Sequence, residues 1–255
     1  MKIRFLGTGT STGVPEIGCS CETCSSADLK DKRLRASVLL EIGEKHLLID
    51  CSPDFREQML HTFKTQIFKQ LNGVLITHEH YDHVGGLDDL RAFCRVAPVP
   101  VYAQSDVIEA IRVRMPYAFR ENKYPGVPEL ELHEIDNQPF EVEGMEVIPI
   151  RLLHGKLPIL GFRIGNFAYL TDLKTIPETE YCKLTHLDVL VINALRPKPH
   201  IAHETIEEAL QNIERIRPKC AYFTHLSHAF GRHEAIQPLL PHSVFIGYDG
   251  LEVEI

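Results

Sequence analysis

Three histidines and one aspartate lie within residues 78–83, in the pattern H-x-H-x-D-H. Imidazole nitrogens and carboxylate oxygens are ligands for divalent metal ions in proteins. The apolar run at residues 74–76 predicts a buried strand before them, and side chains two residues apart on extended backbone point the same way. His78 and His80 thus form one pair, and Asp82 and His83 form another. Two adjacent pairs favour two neighbouring metal ions over a solvated, histidine-rich turn.

A second cluster consists of three of the seven cysteines, Cys19, Cys21 and Cys24. Three thiols this close together in an intracellular chain indicate metal binding rather than a disulfide framework. Thiolate ligands select zinc, and a structural zinc needs a fourth ligand to complete its tetrahedron. The alternative is three free thiols. The other four cysteines lie singly among apolar neighbours, where a thiol is an ordinary core side chain.

Three further residues each end an apolar strand: His154, Asp172 and His225. Any one of them alone is better explained as an ordinary hydrogen-bonded polar residue. Residues at strand ends from separate parts of the chain converge on one rim of a sheet, which is where α/β scaffolds build their sites. Together they therefore extend the candidate metal site.

Length and composition indicate one large α/β domain that spans residues 1–255. The formal net charge of −8 disfavours a long nucleic acid as the substrate, because such binding needs a basic face. The first residues lack the apolar region of a signal peptide, and no apolar run is long enough to cross a membrane. A cytoplasmic protein without a membrane partner is expected.

The elements that must position these residues alternate between strands and helices. The sequence predicts a hairpin of residues 36–42 and 45–50. It also predicts a helix that starts at Ser52 and Pro53, and another at residues 84–95, after the histidine pattern. The clearest helix covers residues 205–217. The segment around 105–130 begins with the apolar spacing of a helix and then shows no regular spacing of apolar residues. It is expected to be a lid or insert, or a loop packed on the core. The pattern alone predicts an α/β fold with many hairpins.

These motifs resemble the metallo-β-lactamase superfamily and, within it, the cyclic-phosphate phosphodiesterases of the carbon–phosphorus lyase pathway. The resemblance implies a four-layer αβ/βα sandwich and runs almost end to end, weakening at about residues 105–130. The matching motifs are Gly7-Thr-Gly-Thr10, the three-cysteine cluster, Leu48-Ile-Asp50, the histidine pattern, Leu153-His154, Tyr169-Leu-Thr-Asp172, Thr224-His225-x-x-His228 and Tyr248-Asp249-Gly250.

The resemblance also implies a set of ligands. The first metal site would comprise His78, His80 and His154, the second would comprise Asp82, His83 and His225, and Asp172 would bridge them. His228 would be the fourth ligand of a structural Zn²⁺ held by Cys19, Cys21 and Cys24. Mixed imidazole and carboxylate ligands accommodate several divalent ions, so Mn²⁺ or Zn²⁺ is expected at the paired site.

Catalytic roles follow from the same resemblance. His203 corresponds to the family's catalytic histidine that is not a ligand, and its ordinary pKa suits general-acid work near neutral pH. Asp82 is expected to act in catalysis together with His203. Without the resemblance His203 reads as a surface histidine at a helix start, and His200 competes for the role. Asp50 and Asp249 also end strands, where they orient metal-binding histidines or make surface hydrogen bonds.

The favoured function is hydrolysis of a small, cyclic phosphodiester by a hydroxide that bridges two metal ions. One alternative is endonucleolytic processing of tRNA 3′ ends, and another is a non-enzymatic role like that of the pyrroloquinoline-quinone biosynthesis protein B. The expected partner is the small phosphodiester, with no nucleic acid. The sequence leaves a homodimer open.

Overall fold

Two seven-stranded β-sheets pack face to face in the computed structural model, which describes residues 1–255. In spatial order the first sheet consists of β14 (Glu252–Glu254), β1 (Lys2–Gly7), β2 (Ser37–Ile42), β3 (Lys45–Ile49), β4 (Gly73–Leu75), β5 (Val99–Ala103) and β6 (Leu130–Glu134). The second consists of β13 (Val244–Ile246), β12 (Cys220–Thr224), β11 (Val189–Asn193), β10 (Phe167–Leu170), β9 (Leu157–Ile164), β8 (Met145–His154) and β7 (Phe140–Val142).

Both sheets have the same mixed architecture. In the first, β3 to β6 run parallel and the remaining pairs are antiparallel. In the second, β10 to β13 run parallel and β7 to β10 are antiparallel. Ligand sites of α/β sheets lie beyond the carboxyl ends of parallel strands. In each sheet, the residues that follow the parallel strands therefore lie close together, beyond the carboxyl ends of those strands.

The helices are short and lie outside the sheets. They are α1 (Phe55–Thr62), α2 (Tyr81–Val84), α3 (Ser105–Arg114), α4 (Ile206–Ile216) and α5 (His233–Ile236). Short 3-10 helices cover Leu29–Asp31, Leu87–Ala92, Pro116–Ala118, Glu178–Leu184, His228–Phe230 and Gln237–Leu239. None of these helices combines the length and the apolar character that crossing a bilayer requires.

The apolar core has three layers, because successive side chains along each strand point to opposite faces of the sheet. Val38 and Leu40 on β2 face the cluster between the two sheets, whereas Leu39 faces the outer cluster under α1 and α3. A third cluster packs Ala209 and Ile213 of α4 against the outer face of the second sheet. This layering confirms the predicted four-layer sandwich.

Two helix predictions were wrong in their bounds. The first helix begins at Phe55 rather than at Pro53 with Ser52 as its N-cap. The Ser52 hydroxyl accepts a hydrogen bond from the Asp54 backbone N–H (3.2 Å) and forms a turn before the helix. The helix expected at residues 84–95 is the short α2 followed by a 3-10 turn. A Cβ on Gly86 would lie 2.0 Å from the Ser52 carbonyl oxygen, so the chain passes too close for a longer α-helix to continue here.

The helix expected at residues 205–217 forms as α4. Thr205 caps it: its side chain accepts from the Glu208 backbone N–H, and the Glu208 carboxylate accepts from the Thr205 N–H. This reciprocal capping box satisfies two donors that would otherwise lack partners at the helix start. It also fixes the position of the loop that precedes the helix, which carries His200 and His203.

Candidate metal centre

The candidate site lies where parallel strands of both sheets end. Asp50 and His225 directly follow β3 and β12, and Asp172 lies two residues beyond β10. Each has a left-handed backbone, with φ of 61° for Asp50, 57° for Asp172 and 56° for His225. Such conformations are costly for residues other than glycine and cluster at functional sites. The turn at each strand end directs the side chain into the space between the two sheet edges.

The first predicted ligand set comes together from both sheets. His78 and His80 follow β4 of the first sheet, and His154 ends β8 of the second. Their ring centroids lie 4.5 Å (His78–His80), 5.1 Å (His80–His154) and 5.7 Å (His78–His154) apart. One nitrogen from each ring lies within 4.8 Å of the others, so all three can ligate a single ion.

The second predicted set is closer still and fully buried. Nε2 of His83 lies 3.2 Å from Oδ2 of Asp82 and 3.1 Å from Oδ2 of Asp172, and Nδ1 of His225 lies 3.0 Å from the same Asp172 oxygen. Ligand atoms about 2.0–2.2 Å from one ion sit roughly 3.0–3.6 Å from each other in tetrahedral geometry. Asp172 also groups with His154 and His203 within 4.8 Å, which places it between the two sets.

Each histidine in these sets except His80 is oriented by a partner on its far nitrogen. Nδ1 of His83 lies 2.6 Å from Asp50, and Nδ1 of His154 lies 2.9 Å from the Ala202 carbonyl oxygen. Nδ1 of His78 contacts the hydroxyl of Thr77, and Nε2 of His225 contacts that of Thr10, both at 3.0 Å. Such partners fix the ring and leave the other nitrogen free to ligate.

The ring nitrogens that have no orienting partner show whether these residues could hold a metal ion. Nε2 of His78, Nε2 of His83 and Nδ1 of His225 are buried and make no hydrogen bond of acceptable geometry, although carboxylate oxygens lie 3.0–3.2 Å from the last two. Buried polar atoms are normally paired, because an unpaired one loses its hydration without compensation. Three unpaired nitrogens directed into one carboxylate-lined space are the arrangement that divalent ions satisfy. The residues present therefore fit the predicted pair of ions.

Electrostatics favour the metal-binding forms of His78 and Asp172 but not of His83: burial lowers the pKa of His83, yet the carboxylates of Asp82, Asp172 and Asp50 outweigh it and raise that pKa well above its usual range. Burial lowers the pKa of the His78 imidazole well below its usual range, so the ring stays neutral. Burial raises the pKa of Asp172, but the nearby His225 and His83 outweigh it and hold that pKa well below its usual range. The Asp172 carboxylate is thus charged and the His78 ring neutral, as coordination requires.

His203 lies at the site and His200 lies behind it. Nδ1 of His203 is 3.8 Å from Oδ1 of Asp172, and its ring centroid is 4.5 Å from that of His154. His200 is 4.9 Å away from His203, and its Nδ1 accepts from the Ala202 backbone N–H. Of the two competing histidines, the structure brings only His203 to the ligand sets.

The three cysteines meet His228 in a separate cluster. Nδ1 of His228 lies 3.1 Å from Sγ of Cys19 and 3.5 Å from Sγ of Cys21, and all four ligand atoms lie within 4.8 Å of each other. The Cys24 backbone N–H hydrogen bond lowers the pKa of the Cys21 thiol to about 6. Three thiols and one imidazole at this spacing fit a tetrahedral zinc.

Asp50 and Asp249 take different roles. Asp50 orients His83, as predicted. Asp249 contacts no histidine: it is partly buried and accepts from the hydroxyl of Thr8 (2.8 Å) and the backbone N–H of Leu34 (2.6 Å). Of the two alternatives for Asp249, it makes hydrogen bonds and does not orient a histidine, because the residue lies three positions beyond β13 and turns toward the loop after β1.

Sequence reasoning missed Asn193, the last residue of β11. Its Oδ1 accepts from the backbone N–H of Leu173 at 2.6 Å and so holds the residue that follows Asp172. It is fully buried. The available signal was its place at the end of an apolar strand, the same signal that identified Asp172 and His225.

Comparisons with known proteins agree with this geometry. A family model described as the beta-lactamase superfamily domain matches residues 45–226. A solved structure described as a new diphosphatase from the PhnP family is 39% identical with a TM-score of 0.92, and the alignment covers 100% of this chain and 96% of that one.

Two curated relatives have different names. An octanoyltransferase of Porphyromonas gingivalis is 48% identical over 259 residues, which cover the whole of this chain but only 52% of that protein. Coenzyme PQQ synthesis protein B of Methylorubrum populi is 31% identical over 121 residues, covering 44% of this chain and 40% of that protein. The chain thus spans about half the length of the curated relatives it matches.

Proposed function

Because the chain belongs to the beta-lactamase superfamily and, within it, to the PhnP family, we propose that it is a metal-dependent phosphodiesterase acting on a small, cyclic phosphodiester. The observation that carries the proposal is the pair of ligand sets, with Asp172 of the second set grouped beside His154 of the first. We assign Mn²⁺ or Zn²⁺ to this pair of sites and a structural Zn²⁺ to the cysteine cluster.

Each ligand has a defined part in this proposal. Two divalent ions held here would lower the pKa of a shared water and draw electron density from a phosphoryl oxygen. Asp172 would contribute to both sites, because its Oδ2 contacts His83 and His225 of the second set and it groups within 4.8 Å with His154 of the first. Asp82, 3.2 Å from the ligating nitrogen of His83, supplies the second negative charge and acts with His203 in catalysis.

His203 is the candidate donor of the proton that the leaving oxygen takes when the P–O bond breaks. Burial and the neighbouring His225 lower the pKa of His203 to about 3, so its ring is neutral in the free protein. A phosphate anion bound beside the ring favours the imidazolium and raises this pKa. Proton transfer is thereby coupled to substrate binding.

Replacing His203 with alanine should therefore slow hydrolysis by about 10²–10⁴-fold for esters with a poor leaving group. The loss should be small for p-nitrophenyl esters, because p-nitrophenolate leaves without a proton. The measurement is kcat for a series of leaving groups with different pKa values, with metal content determined in parallel. His200→Ala is the matched control and should keep the wild-type dependence on the leaving group. Equal losses for good and poor leaving groups would argue against the acid role of His203.

A second candidate substrate is a disubstituted diphosphate. The observation that favours it is the description of the 39% identical structure as a diphosphatase. The bridging oxygen of a diphosphate joins two phosphorus atoms, so the same attack, charge stabilisation and proton donation apply to it. The geometry of the ligand sets supports both substrates.

The alternative functions are less well supported. Processing of tRNA ends needs a surface that binds a long polyanion, and a net charge of −8 provides no electrostatic attraction for one. A non-enzymatic role like that of coenzyme PQQ synthesis protein B gives no reason for His203 beside two complete ligand sets. We assign octanoyl transfer to the half of the Porphyromonas gingivalis relative that this chain does not cover.

A substrate panel tests the proposal. Protein loaded with Mn²⁺ or Zn²⁺ should cleave bis(p-nitrophenyl) phosphate and a small cyclic ester, either a 2′,3′-cyclic nucleotide or a ribosyl 1,2-cyclic phosphate. It should cleave p-nitrophenyl phosphate, a monoester, poorly, and leave a 3′-extended tRNA precursor nearly intact. Asp172→Asn protein prepared in the same way controls for contaminating phosphatases. Efficient trimming of the precursor with the small esters inert would assign the protein to RNA processing instead.

A further inference from the structure

Glu16 lies in the loop that leads into the cysteine cluster, and it contacts three of the four residues proposed to hold zinc. Its carboxylate oxygen Oε2 lies 3.2 Å from Nε2 of His228. Its backbone N–H donates a hydrogen bond to Sγ of Cys24 (3.3 Å), and its backbone carbonyl oxygen accepts one from the N–H of Cys19 (3.0 Å). One residue thus contacts ligands from both of the chain segments that form the cluster.

The two ring nitrogens of His228 face different partners. Nδ1 lies 3.1 Å from Sγ of Cys19 and 3.5 Å from Sγ of Cys21, so this nitrogen is the one placed to ligate. Nε2, on the far side of the ring, faces the carboxylate of Glu16. A carboxylate behind a metal-binding histidine holds the proton on the far nitrogen, fixes the orientation of the ring and makes the ligating nitrogen more basic. Glu16 occupies the position of such a carboxylate.

The backbone of Glu16 acts on the sulfur side of the cluster. The Cys24 side chain is buried, so few water molecules can stabilise the thiolate that zinc requires. An N–H that donates to this sulfur stabilises the charged form more than the neutral thiol. The turn closed by the Glu16 carbonyl oxygen and the Cys19 N–H then sets where the first cysteine lies.

The loop that ends at Glu16 is fastened to the segment that carries the two histidines. The N–H of Thr10 donates to the carbonyl oxygen of Leu226 at 3.0 Å. The Thr10 hydroxyl contacts the far nitrogen of His225, and six residues later the Glu16 carboxylate faces the far nitrogen of His228. One loop therefore supports a ligand of the candidate hydrolytic site and a ligand of the cysteine cluster in the same manner.

We propose that Glu16 is a positioning residue of the cysteine cluster, whose carboxylate holds the His228 imidazole in the orientation and tautomer that bind zinc. This inference rests on the structural zinc of the proposed function, and it adds the group that sets how tightly that zinc is held. Glu16 would not touch the ion itself. Its loss should therefore weaken zinc binding without removing a ligand.

The zinc affinity of Glu16→Gln tests this directly. Glutamine keeps the length of the side chain and the backbone contacts but removes the negative charge. With the exchangeable ions removed first, competition against a chromophoric chelator should show Kd of the remaining zinc raised by about 10-fold. This is the low end of the range for partners of metal-binding histidines, because the Glu16 side chain is 39% exposed and solvent screens its charge.

Glu22 provides the matched control. It lies between Cys21 and Cys24 in the same loop, carries the same charge, is exposed and contacts no other side chain through a hydrogen bond or ion pair. Glu22→Gln should bind zinc like wild type. Equal weakening in both variants would reveal a general effect of charge near a cation and overturn the inference. Wild-type affinity in Glu16→Gln would overturn it as well.

A double-mutant comparison separates the positioning of His228 from a purely structural role of Glu16 in its loop. At the same free zinc concentration, Glu16→Gln should lower Tm by about 3–6 °C, the shift that corresponds to a tenfold weaker ion. In a Cys21→Ser background, which lacks the site, the same change should have no further effect. An equal drop in Tm in both backgrounds would show that Glu16 supports the loop without zinc, and the inference would fail.

Neither measurement uses hydrolysis, so the inference and the proposed activity can fail separately. A protein that holds zinc in this manner but cleaves no diester would overturn the proposed activity alone. Wild-type protein that retains no zinc would overturn the assignment of the cysteine cluster and this inference with it.

Discussion

Replacing Asp172 with asparagine should reduce hydrolysis by at least about 10³-fold, which corresponds to roughly 4 kcal/mol of lost transition-state stabilisation. The Asp172 carboxylate contacts the second set, with Oδ2 3.1 Å from His83 and 3.0 Å from His225, and it also lies within 4.8 Å of a ligand atom of His154 in the first set. A neutral amide cannot bridge two cations, so the spacing of the ions and the charge balance are both lost. Asparagine is preferred to alanine here because it tolerates the left-handed backbone at φ 57°.

The measurement combines kcat/KM on a diester with metal content by elemental analysis. Asp172→Asn should retain fewer than two of the exchangeable ions and keep the zinc of the cysteine cluster. Asp188→Asn is the matched control, since this carboxylate pairs with Lys219 on the surface, outside the ligand sets, and should leave activity and metal content unchanged. Wild-type activity in Asp172→Asn would refute the bridging role.

Cys21→Ser should lower thermal stability far more than activity per folded molecule. Binding of a structural zinc by thiolates contributes directly to the folding free energy. A loss of about 4 kcal/mol would lower Tm by roughly 8–16 °C for a chain near this size. Cys21 is exposed, so the change leaves no cavity and the loss reports on the metal. Cys182 is exposed and not a core residue as the sequence suggested, so it provides the matched control Cys182→Ser, which should melt like wild type.

Chelation gives an independent measure of the same cluster. A mild chelator should remove two ions from the wild type and leave one resistant zinc, whereas Cys21→Ser should retain none. His228 lies three residues beyond His225, so losing this zinc loosens the segment next to a ligand without removing the ligand itself. A variant as stable as wild type but inactive would show that the cluster acts in catalysis and not in folding.

The ligand residues could be predicted from sequence because their signals are local. The H-x-H-x-D-H spacing is contained in six residues, and His154, Asp172 and His225 each end an apolar run. Which strands pair is a long-range property, and the meeting of His80 with His154 depends on how the two sheets pack. The sandwich itself followed from the resemblance to a family rather than from periodicity.

Other features left no local signal. Glu16 contacts His228 from the other end of the chain, and nothing in a polar loop distinguishes it from Glu22. The break between α2 and the following 3-10 turn depends on the approach of Gly86 to Ser52, which a helical pattern does not record. Asp249 shared the strand-end signal of Asp50, yet the turn after β13 directs it elsewhere.

The division of ligands between the two sheets has a consequence for folding. The first sheet contributes His78, His80, Asp82 and His83, whereas the second contributes His154, Asp172 and His225. Ions bound at this seam cross-link two halves that are otherwise held together mainly by apolar contacts. By mass action, an ion that binds only the native state shifts the equilibrium away from unfolded chains. Metal supply would therefore set how long the folded protein persists as well as how fast it works.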